Sequence, residues 1–193
     1  MRLLVLGGSF NPVHLGHLVM ADEVRAQFGY DLVLLVPAHR PPHKDLAAAD
    51  DPGPRRRLVM LRLAVEGDRG MAVDDCELER GGTSYTIDTI RDIVARYRPE
   101  GRPGLLIGDD LMPDFPAWRE PGALAAEADL VCAHRLSAER LPFAYPHRYA
   151  DNSLVPVSSS LVRERIASGG AFRYLLPAPV RDYIVENRLY GLR

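Results

Sequence analysis

"LLVLGGSFNPVHLGHL", residues 3–18, sets a short apolar run against two glycines and then places two histidines three residues apart. The run at 3–6 reads as a strand buried on both faces. Gly7 and Gly8 let the backbone turn tightly at its end and approach a ligand closely. A helical period begins near Leu15, so His14 and His17 share a face at a helix start, one turn from N–H groups that attract anions. Packing accounts for the strand and the glycines, but not for the histidines. Imidazoles in that place can donate hydrogen bonds to phosphate oxygens as charge shifts during phosphoryl or nucleotidyl transfer. The plain alternative is a pair of solvated or capping histidines. A zinc site is a second, since His39 and His43 lie near in sequence, but no H-E-x-x-H arrangement or cysteine cluster supports it. The turn also lacks the Gly-Lys-Ser/Thr of a Walker loop and the G-x-G-x-x-G of a dinucleotide fingerprint.

Outward from this stretch the pattern repeats. Apolar runs at 32–36, 105–107 and 129–133 read as further buried strands. Between them "LGHLVMADEVRAQF" has helical period, with Leu15, Leu18, Val19, Val24 and Phe28 inward and Gly29 closing it. Residues 55–65 and 85–97 behave likewise, the second with Tyr85, Ile90, Ile93, Val94 and Tyr97 inward. Buried strands alternating with amphipathic helices predict an α/β fold, a doubly wound and mostly parallel sheet with helices on both faces. In such sheets ligands sit outside the carboxyl ends of the strands. The segments 7–12, 37–45 and 108–110 all leave such ends, so they converge on one crevice. "LVPV" at 154–157 reads as another strand. "SSSLVRERIASGG" reads as a helix with serine at its start and glycine at its end, and a last helix begins near Pro177. Residues 134–152 receive no assignment.

The length of 193 residues suits one domain, 1–193, with C-terminal helices at about 158–190. A net charge of −2 offers no global basic field to a nucleic acid or an anionic membrane, so any anion must be held locally. Two cysteines, Cys76 and Cys132, make no disulfide framework or zinc spacing and suggest reduced thiols in a cytoplasmic protein. No apolar run approaches the length of a membrane span. Self-association is left open.

The string "GGSFNPVHLGH" resembles the H-x-G-H signature of the nucleotidyltransferase superfamily related to class I aminoacyl-tRNA synthetases. Within it the chain is similar to the bacterial nicotinate-nucleotide adenylyltransferases. "VPAHRPPHK", "RLVMLRLAV", "LERGGTSYTIDTI", "LLIGDDLMPDFPAWRE", "DLVCAHR" and "VSSSLVRERI" follow that family in order. The resemblance implies a Rossmann-like fold and adenylyl transfer from ATP to nicotinate mononucleotide, with Mg²⁺ bridging phosphate oxygens and no metal ligated by the protein. It implies His14, His17 and Arg163 as catalytic residues. Gly7, Gly8, Ser9, Phe10, Gly108, Asp110, Ser158, Ser159 and Ser160 then join them in binding ATP, so that the C-terminal helices complete the nucleotide site. His43, Lys44, Ser84, Tyr85, Thr86, Trp118 and Arg119 fall to nicotinate mononucleotide.

Residue chemistry agrees with those roles. Ser158, Ser159 and Ser160 open a helix with Arg163 one turn on, joining hydroxyls, N–H groups and a guanidinium at a positive helix end. Ordinary N-capping by serine is the plain alternative. An aromatic face such as that of Trp118, the single tryptophan, suits a cationic pyridinium; core packing is its alternative. A helix starting near Ser84 offers N–H groups, such as that of Thr86, to the nicotinate carboxylate. His43 and Lys44 lie on a basic loop able to close over phosphates or simply to be solvated. Asn11 stands where many relatives carry Asp, Ser160 where Thr is commoner, and Arg119 where an aromatic or Lys is frequent. Two rivals stay open: the same transfer to nicotinamide mononucleotide or phosphopantetheine, and a non-catalytic nucleotide-binding regulatory module.

Overall fold

The computed structural model describes residues 1–42, 51–135 and 137–192. The chain runs β1 (Leu3–Gly8), α1 (Leu15–Phe28), β2 (Leu32–Pro37), α2 (Pro54–Ala64), β3 (Met71–Val73), α3 (Cys76–Arg80) and α4 (Thr86–Tyr97). It continues through β4 (Gly104–Gly108), α5 (Pro121–Glu127), β5 (Asp129–Ala133), β6 (His147–Tyr149), α6 (Ser159–Ser168) and α7 (Ala178–Glu186). The strands form one sheet in the order β3-β2-β1-β4-β5-β6, every pairing parallel. The doubly wound expectation holds. The direction of winding reverses between β1 and β4, and that switch point opens a crevice above their carboxyl ends.

Alternation along the strands divides the core between the two faces. Leu4, Leu6, Val33 and Leu35 pack with Met20 and Val24 of α1, Met60 and Leu61 of α2, Val162 of α6 and Ile184 of α7. Leu3, Val5, Leu34, Val36 and Ile107 pack on the opposite face with Ile87, Ile90 and Ile93 of α4 and Leu124 of α5. The described residues include no helix long and apolar enough to cross a membrane.

Local details depart from the sequence reading. The buried line of α1 is Met20, Ala21 and Val24, whereas Leu15, Leu18, Val19 and Phe28 are only half-buried. Val94, expected inward, is 40% exposed, and Ile87 takes its place. Residues 154–157 are not a strand. Pro156 has no N–H to give a ladder, and the place beside β5 is held by β6, a three-residue strand in the unassigned segment. Another short strand, β3, extends the other edge.

Candidate active site

The turn leaving β1 is held by its acceptors. Gly8 O accepts the Ala38 N–H at 2.9 Å, and Ser9 O accepts Arg57 Nη1 at 2.7 Å. Asn11 O accepts Arg163 Nη1 at 2.8 Å and Pro12 O accepts the Ser159 hydroxyl at 2.9 Å. Carbonyls turned toward protein donors leave an anion facing donors rather than lone pairs. Phe10 takes a left-handed backbone, φ 46°, which costs about 1 kcal/mol for a residue with a Cβ. Its fully packed ring, edge-on to His17 at 5.0 Å between centroids, holds it there.

His14 caps the start of α1, and its N–H donates to His17 Nδ1 at 3.3 Å. With Nδ1 accepting, a neutral His17 carries its proton on Nε2. The His14 ring lies against that of His17, centroids 3.7 Å apart. Burial, with the Arg135 guanidinium a smaller cause, pushes His14 down from 6.5 to about 3. Among the described residues neither of its ring nitrogens has a hydrogen-bond partner, nor has the buried Asp110 Oδ1. Buried polar atoms without partners are rare and ask for an explanation. Asp110 lines a cavity, and the His14 ring lies directly behind that of His17, which lines it too.

That cavity, of about 450 Å³, is walled by Gly7, Gly8, Ser9, Phe10 and His17 on one side. Gly108, Asp110, Ser158, Ser159, Ser160 and Arg163 wall the other. The structure therefore brings the expected nucleotide residues together, with His14 beneath His17 rather than on the wall. Ser158 caps α6, its hydroxyl accepting the Leu161 N–H at 3.1 Å. A smaller recess of about 220 Å³ adjoins, lined by Gly16, Asp110, His134, Arg135 and residues 155–158.

A second cavity, of about 540 Å³, shares Gly7, Gly8 and Ser9 with the first and runs over Leu106 and Leu111. Ser84, Tyr85, Thr86, Trp118 and Arg119 line it, together with Glu77. Thr86 opens α4, so its N–H is among those without an intrahelical acceptor. Trp118 is half-buried and tilts against Phe115 at 5.1 Å, combining core packing with a place on the wall. Arg119 lies over the Tyr85 ring at 4.7 Å. Burial pushes the Glu77 carboxyl up, against hydrogen bonds from Ser84 and Thr89. His39 binds the loop of Gly82 and Ser84 through its ring and its N–H rather than facing a metal. The expected His43 and Lys44 lie outside the described residues.

The sequence reading missed Arg135, Asp109, Glu77 and Arg57. Asp110 receives Arg135 Nη1 at 3.0 Å, and buried Asp109 accepts the Arg135 N–H at 2.9 Å. Arg135 sits in the segment left unassigned, and Arg57 hides in an arginine run indistinguishable from a solvated helix start. Among the described residues no group of three or more His, Cys, Asp or Glu could hold a metal ion.

Residues 5–165 match the cytidylyltransferase-like family. A protein of Borrelia garinii subsp. bavariensis named "probable nicotinate-nucleotide adenylyltransferase" is 40% identical over 98% of this chain and 95% of its own. One of the same name from Streptococcus pyogenes serotype M6 is 40% identical over 96% of this chain and 87% of its own. Among solved structures, the Plasmodium falciparum nicotinic acid mononucleotide adenylyltransferase complexed with NaAD superposes with a TM-score of 0.79. That match covers 100% of this chain and 98% of the other at 17% identity. The same enzyme complexed with APC gives 0.77 at 16% identity, with the same coverage.

Proposed function

The chain belongs to the cytidylyltransferase-like family and, within it, to the nicotinate-nucleotide adenylyltransferases, and we propose that it joins ATP to nicotinate mononucleotide. The mononucleotide phosphate attacks the α-phosphorus of ATP. The bond from that phosphorus to the bridging oxygen breaks, pyrophosphate leaves, and nicotinate adenine dinucleotide remains. The observation that carries this reading is the pair of cavities meeting over Gly7, Gly8 and Ser9. One offers phosphate donors, the other an aromatic face and a helix start.

In the first cavity the His17 Nε2–H, the N–H groups at the start of α6 and the Arg163 guanidinium receive the triphosphate. Bound phosphate supplies the partner that the His14 ring lacks. The adjoining recess receives the nucleoside, and α6 and α7 complete this half of a single domain. In the second cavity Trp118 meets the pyridinium, and the Thr86 N–H meets the nicotinate carboxylate, which the amide lacks. Holding two phosphates in line supplies most of the acceleration, and no covalent intermediate is needed. The donor set suits Mg²⁺ carried on substrate phosphates rather than caged by protein. Such an ion, when bound, would supply charge neutralisation on phosphate oxygens. Buried free thiols at Cys76 and Cys132 suit the reducing cytoplasm.

The test is pyrophosphate release from Mg²⁺–ATP with nicotinate mononucleotide, its amide or phosphopantetheine. The acid is expected to be strongly preferred. Preference for another acceptor overturns the pyridine half of the reading. ATP binding without release for any acceptor overturns the chemistry and favours the regulatory module.

A further inference from the structure

Arg57, in the first turn of α2, is the largest fully buried side chain described, and none of the chemistry above uses it. Its Nη1 donates to Ser9 O and to Ala38 O, both at 2.7 Å. Nη2 donates to His39 O at 3.2 Å, and Nε to Asp51 Oδ1 at 3.1 Å. Asp51 is its ion-pair partner, itself largely covered. The charge also reaches the buried carboxyl of Glu77, which accepts the Thr89 hydroxyl at 2.5 Å and lines the second cavity.

Withdrawing a guanidinium from water is costly, and an apolar side chain often serves packing as well or better. What an apolar side chain cannot do is fix several acceptors at set distances in one plane. The acceptors here belong to different walls. Ser9 lies on the turn after β1 that both cavities share. Ala38 and His39 follow β2, where Ala38 lines the second cavity. The guanidinium therefore sets the spacing between the turn proposed to hold the triphosphate and the wall proposed to hold the mononucleotide.

We propose that Arg57 is a positioning residue for adenylyl transfer, holding these two walls in the register that aligns the attacking phosphate with the α-phosphorus of ATP. It touches neither substrate. The inference rests on the adenylyltransferase reading of the two cavities.

Its test is Arg57→Lys in the full chain, with thermal melting, calorimetric affinities for ATP and for nicotinate mononucleotide separately, and steady-state pyrophosphate release. Lysine keeps the charge and loses the fork. The expected result is near-native affinity for each substrate alone with kcat lowered about 10- to 100-fold, the scale on which an ångström of misalignment acts. A merely structural role would instead lower melting temperature and affinities together and leave kcat per folded site unchanged. Native kcat in folded Arg57→Lys, or affinities falling in step with kcat, overturns the proposal. Should Arg57→Lys fail to fold, Asp51→Asn, which weakens the grip on Nε from the rim, is expected to show a smaller drop with the same split. Native kcat there overturns it too. Absence of turnover in the unsubstituted protein overturns the underlying reading, whereas turnover matched by the variants overturns this proposal alone.

Discussion

His14 and His17 are three residues apart and end in different states. His17 stands on the cavity wall with Nδ1 accepting the His14 N–H, and the function proposed above has its ring donate toward phosphate. His17→Ala is expected to lower kcat about 10²- to 10³-fold, the usual scale for losing one charge-stabilising donor; steady-state pyrophosphate release checks this, and native turnover removes the role. His14 is held near 3 by burial, below its ordinary 6.5. An unfolded His14 takes up its proton as pH falls through 6.5, while the folded ring does so only near 3. The stability it contributes is therefore complete above about pH 6.5 and is lost as pH falls through that window toward 3. Urea unfolding between pH 7 and pH 4 should show a shallower loss of stability in His14→Asn than in the unsubstituted protein, by up to about 1.4 kcal/mol per pH unit. Parallel slopes would mean that His14 is solvated.

Two helix starts, those of α1 and α6, line the first cavity, and each is written locally. Ser158 ahead of α6 and Gly169 after it mark that helix in the sequence, and the structure places its caps there. In α1 the second helical position is Gly16, where a Cβ would lie 3.1 Å from His14 Nδ1, 3.2 Å from its Cε1 and 3.4 Å from Val157 O. Alanine favours a helix over glycine by up to about 1 kcal/mol, yet here it must displace the His14 ring. Gly16→Ala is expected to lower kcat about tenfold without the gain in melting temperature that propensity alone gives. A higher melting temperature with native kcat would show that the ring has room to move. The misreadings at this scale share a cause. Val94 and residues 154–157 carry apolar side chains in a plausible period, but which face is covered depends on neighbours that a local pattern does not contain.

At the scale of the whole molecule, the turn after β1 is held from the far end of the chain. The Tyr190 hydroxyl, 179 residues away, donates to Asn11 Oδ1 at 2.8 Å in a buried contact, and Asn11 O receives Arg163. Burial pushes the Tyr190 phenol well up, so it remains a donor throughout the physiological range. Tyr190→Phe withdraws one buried donor and is expected to cost about 1–3 kcal/mol, with lower kcat because Arg163 shares the anchor. Chemical unfolding and steady-state kinetics together check it; a stability loss with unchanged kcat would confine the contact to folding.

The alternating strands and helices, the glycine turn, the H-x-G-H histidines, the serine cap of α6 and the start of α4 near Ser84 were all readable from the chain alone. Each depends on interactions within a few residues: hydrophobic period, turn conformation, and helix ends with unsatisfied N–H groups. Tertiary structure alone decided that two cavities share Gly7, Gly8 and Ser9, that β3 and β6 extend the sheet, and that Arg57 is buried while its neighbours Arg55 and Arg56 are exposed. Those outcomes are set by pairings between distant segments. A run of three arginines carries no local signal for which guanidinium will find three carbonyls and a carboxylate.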